Sequence, residues 1–273
     1  MNERAIRAIV HKDLKVAAQN RGVMIPSLAV PLLLFVALPS LVLFVPDLAK
    51  GANSASFSRL TDLLARMPAG LQAAFAGYSD VQRVVAFFLE YVMAPMFLIV
   101  PVMVASVIAA DSFAGERERK TLEALLYTPT TDRELFVAKL LSAWLPAMAV
   151  TLVGFLVYAA TANAVAWSTM GRIFFPNWMW VALILWVVPA AAGLGLVSMV
   201  LVSSRAQGFQ DAYQIGGVIV LPIVLLVFGQ VSGVMYFSVG LVLVLGLLLW
   251  VVDGLLLWFG SRGFHRGRLI ARM

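Results

Sequence analysis

The side chains able to do chemistry in this 273-residue chain are few and unevenly placed. Between positions 111 and 139 the run DSFAGERERKTLEALLYTPTTDRELFVAK carries Glu116, Arg117, Glu118, Arg119, Lys120, Glu123, Asp132, Arg133, Glu134 and Lys139 behind a leading Asp111. Such an island between long apolar runs is the natural place to meet a soluble partner. Two further acids, Glu90 and Asp253, fall in or near apolar runs. A carboxylate there is expensive and by default points to a substrate or proton path. Glu90 lies close to one end of its run and Asp253 within the last third of its own, so contact with water or a polar neighbour is the other reading of each.

Other chemistries lack their parts. With no cysteine there is no disulfide, no thiolate nucleophile and no cysteine metal ligand. The two histidines, His11 and His265, lie in the terminal segments, away from any buried serine; Ser198 sits in GLVSM, without the closing glycine of a nucleophile elbow. Zinc ligands are not placed together. No G-x-x-x-x-G-K-[ST] loop is present to cradle nucleotide phosphates. The chain therefore reads as no enzyme, and as binding no cofactor of its own.

The elements that must position these residues are membrane helices. The chain is 62% hydrophobic and 12% charged, with a mean hydropathy of +0.94; soluble domains run about 45–50% apolar and about 25% charged. Crossing a bilayer takes roughly 20 apolar residues, and six such segments are placed at 24–46, 84–110, 140–162, 178–203, 214–233 and 235–259. If both termini are cytoplasmic, fifteen of the twenty Lys and Arg fall on inside segments, the island among them; only Lys50, Arg59, Arg66, Arg83 and Arg172 fall outside. That bias puts both termini and the island in the cytoplasm, in a multi-pass protein of the cell membrane. The net charge of +6 is thus a topology signal, and nucleic acid is not an expected partner.

The organisation expected is 1–23, a cytoplasmic amphipathic interface helix; 24–259, the six-span domain; and 260–273, a basic cytoplasmic tail. In the first, Ile6, Ile9, Val10, Leu14 and Ala17 gather on one side and Arg4, Arg7, His11 and Lys15 on the other, as for a helix lying on membrane lipid. The first outer loop places Phe57, Leu60, Leu64, Met67 and Leu71 at helical intervals around Pro68, which predicts one or two short amphipathic helices. Trp178 and Trp180 suit an interfacial aromatic belt. Prolines at 31, 39, 95, 101, 146, 189 and 222 predict bent helices in a packed bundle. Ala191 with Gly195, and Gly229 with Gly233, have the spacing for close contact within the chain or across a dimer.

Within the island, 116–127 reads as a helix with Leu122, Leu125 and Leu126 on one side. Pro129 breaks it, because the residue before a proline is driven from the helical region. Thr131 and Glu134 then form a T-x-x-E capping box that starts the helix leading through Lys139. A helix, a sharp turn and a capped helix make a device for receiving a rigid-body push; physics alone leaves an ordinary charged connection equally open.

The run resembles the signature of ABC-2 type transporter permeases, S-x-x-x-E-R-x-x-x-T-L-E-x-L-L-x-x-P followed by a polar turn and a lysine. Ser112, Glu116, Arg117, Thr121, Leu122, Glu123, Leu125, Leu126, Pro129 and Lys139 occupy those places. The motif covers about a tenth of the chain, and the six spans and amphipathic N-terminal helix are also similar to that family. Ala138 departs from it, standing where glycine often precedes the lysine. The resemblance implies an all-α permease whose cytoplasmic coupling helix, between spans 2 and 3, docks on an ATPase. Coupling would involve Glu116, Arg117, Thr121, Leu122, Glu123, Leu125, Leu126, Pro129, Thr131, Glu134 and Lys139. It implies as partners a nucleotide-binding ABC ATPase subunit holding ATP and Mg, a second permease chain, identical or paralogous, and membrane lipids. The implied activity is ATP-driven export, with Glu90 and Asp253 as candidates for the transport path. The rival readings are an ion-coupled secondary carrier or channel and an intramembrane hydrolase. A carrier would be marked by more intramembrane charge or by inverted repeats.

Overall fold

A computed structural model describes residues 3–50, 54–118, 131–203 and 208–263. Among these residues all regular structure is helical. Six helices are long and apolar enough to cross a membrane, and the chain is an all-α integral membrane protein. In order they follow an N-terminal helix α1 (Glu3–Gln19). They are α2 (Arg21–Asp47), α5 (Asp80–Gly115), α6 (Asp132–Met170), α7 (Trp178–Ser203), α8 (Phe209–Val231) and α9 (Val239–Gly263). Between α2 and α5 lie the short helices α3 (Ser54–Ala65) and α4 (Ala69–Ala74), with Pro68 at the start of α4. Leu64, Met67 and Leu71 are buried there, while Leu60 stays exposed.

The helices sort by burial. In the most apolar stretch of α5, 83% of residues are buried, and of α7, 67%; the figure is 17% for α8 and for α9. So α5 and α7 form the centre. They approach closely because Gly195 has no side chain: a Cβ there would come within 2.5 Å of the Val102 carbonyl oxygen. This assigns the Ala191 and Gly195 pair to packing within the chain. Gly229 and Gly233 serve the turn between α8 and α9, where Gly233 adopts a φ of +76° and the Met235 N–H donates to the Gly229 carbonyl at 3.1 Å.

Proline shapes the spans in a regular way. Three π-turns, Leu33–Ala37, Phe87–Val92 and Leu183–Val187, end two or three residues before Pro39, Pro95 and Pro189. A proline lacks the N–H for the preceding turn and crowds its carbonyl, and widening the helix just ahead relieves both. The carbonyls so displaced are taken up by side chains: Tyr158 Oη donates to the Leu89 carbonyl at 2.5 Å and Trp180 Nε1 to the Glu90 carbonyl at 2.8 Å. Trp180 is thereby drawn into the core against Phe97, Phe155, Tyr158 and Phe175. Of Trp178 and Trp180, it is Trp178, 81% exposed, that remains available to an interfacial belt.

Contacts at the helix ends define two poles. Gln82 Nε2 donates to the Thr169 carbonyl at 3.0 Å, and the rings of Tyr91 and Tyr236 lie 5.4 Å apart, so the α3–α4 segment and the α6–α7 and α8–α9 turns share one pole. At the other pole α1 meets the end of α5 and the start of α6. The third spanning helix, α6, is longer than the predicted span, 39 residues, because a capping box starts it at Thr131 and Gly171, at φ +62°, stops it. Its first turns therefore stand beyond the predicted span and carry Lys139 at the α1 pole.

Candidate functional site

The island's two described ends converge on one side chain. Thr131 Oγ1 accepts from the Glu134 N–H at 3.3 Å, and the Thr131 N–H donates to Glu134 Oε2 at 3.0 Å. This reciprocal cap fixes the first turn of α6, and two turns later Lys139 points inward with no exposed surface. Its Nζ donates to the Ser112 carbonyl at 2.6 Å and to Glu116 Oε2 at 2.5 Å, and lies 5.3 Å from the centre of the Phe113 ring. Ser112 belongs to a further π-turn, Asp111–Gly115, at the end of α5.

The N-terminal helix completes the group. Glu116 Oε1 accepts from Lys12 Nζ. Lys12 also pairs with Asp13 Oδ1 at 3.0 Å, and Asp13 Oδ2 accepts from Ser142 Oγ at 3.2 Å, with Lys139 Nζ at 3.9 Å. Asp13 and Glu116 are 3% and 4% exposed. Burying any one of these charges alone would be prohibitive, but two carboxylates and two ammonium groups sum to zero and pair with one another, Asp13 Oδ1 through the charge of Lys12 rather than through a hydrogen bond. Burial opposes the charge on Lys12, yet its hydrogen bond to Glu116 and the negative charges of Glu116 and Asp13 prevail, raising its pKa above the ordinary lysine value.

Three further links surround this quartet. Asn20 Nδ2 donates to Asp111 Oδ1 at 2.9 Å while Asn20 Oδ1 caps α2 by accepting from the Gly22 N–H at 3.0 Å. Glu118 Oε2 accepts from the Phe209 N–H at 3.0 Å, placing a carboxylate on the N-terminus of α8. Ile6 and Ile9 of α1 bury against Leu135 and Ala138 of α6. The apolar stripe expected to lie on lipid is thus taken up in part by protein, and it anchors α1 to the helix that carries Lys139.

Of the residues expected to couple, Glu116 and Lys139 bond directly, and Thr131 and Glu134 cap the helix that positions Lys139. The Arg117 side chain and Thr121, Leu122, Glu123, Leu125, Leu126 and Pro129 lie outside the described residues, as does the predicted break. Sequence reasoning missed Lys12, Asp13, Asn20 and Ser142. One signal was available: Asp13 falls four residues after Ile9 and four before Ala17, an acid on the apolar stripe and so one that needs a buried partner. At the opposite pole Glu90 is 8% exposed and its Oε2 accepts from Asn177 Nδ2 at 2.9 Å, so it has the polar neighbour that was one of its two readings. Asp253 is 3% exposed, and among the described residues neither of its carboxylate oxygens has a hydrogen-bond partner.

Among the described residues no group of three His, Asp or Glu is placed to hold a metal ion. The arrangement links α1, α5 and α6 on both sides of segment 119–130. A family model described as ABC-2 family transporter protein matches residues 7–251. No curated protein and no solved structure gave a match.

Proposed function

Starting from the chain's membership of the ABC-2 transporter family, we propose that it is the permease subunit of an ATP-driven exporter and is driven by a nucleotide-binding subunit on a separate polypeptide. The Lys and Arg bias supports a cytoplasmic position for both termini and for segment 111–139, in the cell membrane. In this reading segment 119–130 docks on the ATPase, and a second permease chain completes the pathway. ATP-driven approach of two ATPase subunits moves the docked segments together and shifts the permease between two packings.

The observation that carries this reading is the buried quartet of Lys12, Asp13, Glu116 and Lys139. Glu116 and Lys139 flank the docking segment and bond at 2.5 Å, so its ends are held together and a push on it moves α5 and α6 as one body. Lys12 and Asp13 extend that body to α1. Glu116 and Lys139 in this account position the docking segment rather than touch the ATPase.

The test is co-purification with the co-encoded ATPase followed by transport in proteoliposomes. Transport requires ATP, Glu116→Lys uncouples hydrolysis from transport, and the exchanged pair Glu116→Lys with Lys139→Glu recovers part of the coupling. Transport driven by an ion gradient without ATP would overturn the permease reading. Full coupling in Glu116→Lys would overturn the positioning role.

A further inference from the structure

Helices α7 and α9 pack through two reciprocal notches. Trp186 of α7 lies over Gly246, where an added Cβ would come within 2.2 Å of the indole ring. Two turns further along, Asp253 of α9 lies over Gly193, where an added Cβ would stand 2.5 Å from Oδ2. Each glycine admits the other helix's side chain. The second notch holds a carboxylate that is 3% exposed and, among the described residues, lacks a hydrogen-bond partner on either oxygen. Its packing partner, residues 178–203, contains no ionisable side chain, and the other ionisable residue of α9 is Arg262, nine positions on.

The same seam opens outward through tryptophan. Trp250 sits one turn before Asp253, donates its Nε1 to the Trp186 carbonyl at 3.2 Å, and places its ring 6.1 Å from that of Trp186. The two are 40% and 37% exposed on the outside of the bundle. An indole face attracts a cation, most strongly where water is excluded. A lone carboxylate in such a setting is strongly unfavourable unless it takes up a proton or a cation joins it. Among the described residues this carboxylate belongs to no cluster of three acids or histidines, which does not suit calcium or magnesium, since those gather six or more oxygen ligands. A single ammonium on an apolar body matches both the one charge and the apolar walls.

We propose that the α7–α9 seam at Asp253 and Gly193 binds a lipophilic monovalent ammonium, which enters from the bilayer past Trp186 and Trp250. Calling that ammonium the cargo rests on the permease reading; its binding does not. Gly193 gives the carboxylate room, Asp253 supplies the counter-charge, and the two indoles pass the apolar body inward.

Binding is measured by tryptophan fluorescence on the purified full chain in zwitterionic nanodiscs, with empty discs subtracted and neither ATPase nor nucleotide present. The probes are dodecylammonium and the uncharged dodecanol. Wild type binds dodecylammonium about tenfold or more tighter than dodecanol, and Asp253→Asn loses that preference while dodecanol binding is unchanged. Asp253→Asn removes an uncompensated charge without changing shape, so its melting temperature does not fall, which separates lost binding from lost folding. Gly193→Ala, which crowds Oδ2, is the second variant and also weakens the ammonium. Equal affinity for the two probes, or an unchanged preference in Asp253→Asn, overturns the site; the latter is the result if Asp253 only carries a proton. Asp253-dependent binding with no ATP-driven transport of dodecylammonium by the assembled complex keeps the site and removes the ammonium's role as cargo.

Discussion

Replacing Lys139 by methionine tests the buried quartet most directly. The side chain keeps its length and loses its charge, leaving Asp13 and Glu116, 3% and 4% exposed, with Lys12 as their one remaining cation in the group. Breaking a buried pair by removing one partner costs about 3–5 kcal/mol, because the other charge stays buried without compensation. For a chain of this size that is a fall in melting temperature on the order of 10 °C. The double variant Lys139→Met with Glu116→Met removes one charge of each sign and leaves Lys12 with Asp13 at 3.0 Å, again neutral. It recovers most of the loss, giving a coupling energy of at least about 2 kcal/mol in the double-mutant cycle. The exposed pair of Arg7 and Glu3, with side chains 84% and 82% exposed at 3.7 Å, is the control and changes the melt little when broken. The assay is thermal unfolding followed by intrinsic tryptophan fluorescence in detergent. If Lys139→Met melts within about 2 °C of wild type, or if the double variant loses the sum of the two single losses, the quartet is not a neutral buried unit.

Three further outcomes follow from individual contacts. Thr131→Ala removes the side-chain half of the reciprocal cap and costs about 1 kcal/mol, read as faster amide hydrogen exchange at residues 132–135 with α7 unaffected. Because Lys12 has a folded pKa above its ordinary 10.5, its contribution is fully present below that pH and is lost as the pH rises through the folded value. The melting temperature therefore falls more steeply in the alkaline range for wild type than for Lys12→Met. Gly154→Ala would bring a Cβ within 2.2 Å of the Phe35 ring, which is itself buried and stacked on Phe97 at 4.5 Å. The forced repacking between α2 and α6 costs about 1–3 kcal/mol, seen as a lower melting temperature.

Composition and periodicity by themselves determined the class and the six spans, with limits within about five residues except for α6, which runs eight residues past the predicted span at each end, since a bilayer demands long apolar runs and admits few alternatives. They also determined the start of α6: the Thr131 and Glu134 cap involves residues three apart and needs no distant partner. What only the tertiary structure decided is who meets whom across the bundle. Asp13 and Glu116 lie 103 positions apart, and nothing in local spacing says that both reach the neighbourhood of Lys139. Trp180 carries the mark of a membrane belt in one dimension, yet the π-turn before Pro95 presents a carbonyl that its indole can bond, and so it is buried. Asp253 is an acid in an apolar run on paper; in three dimensions it is a carboxyl held over a glycine with no hydrogen-bond partner among the described residues, because the one helix packed most closely beside it carries no ionisable group. Local rules place helices and caps; long-range complementarity of charge and volume decides which polar groups the bundle satisfies and which it leaves for something else to bind.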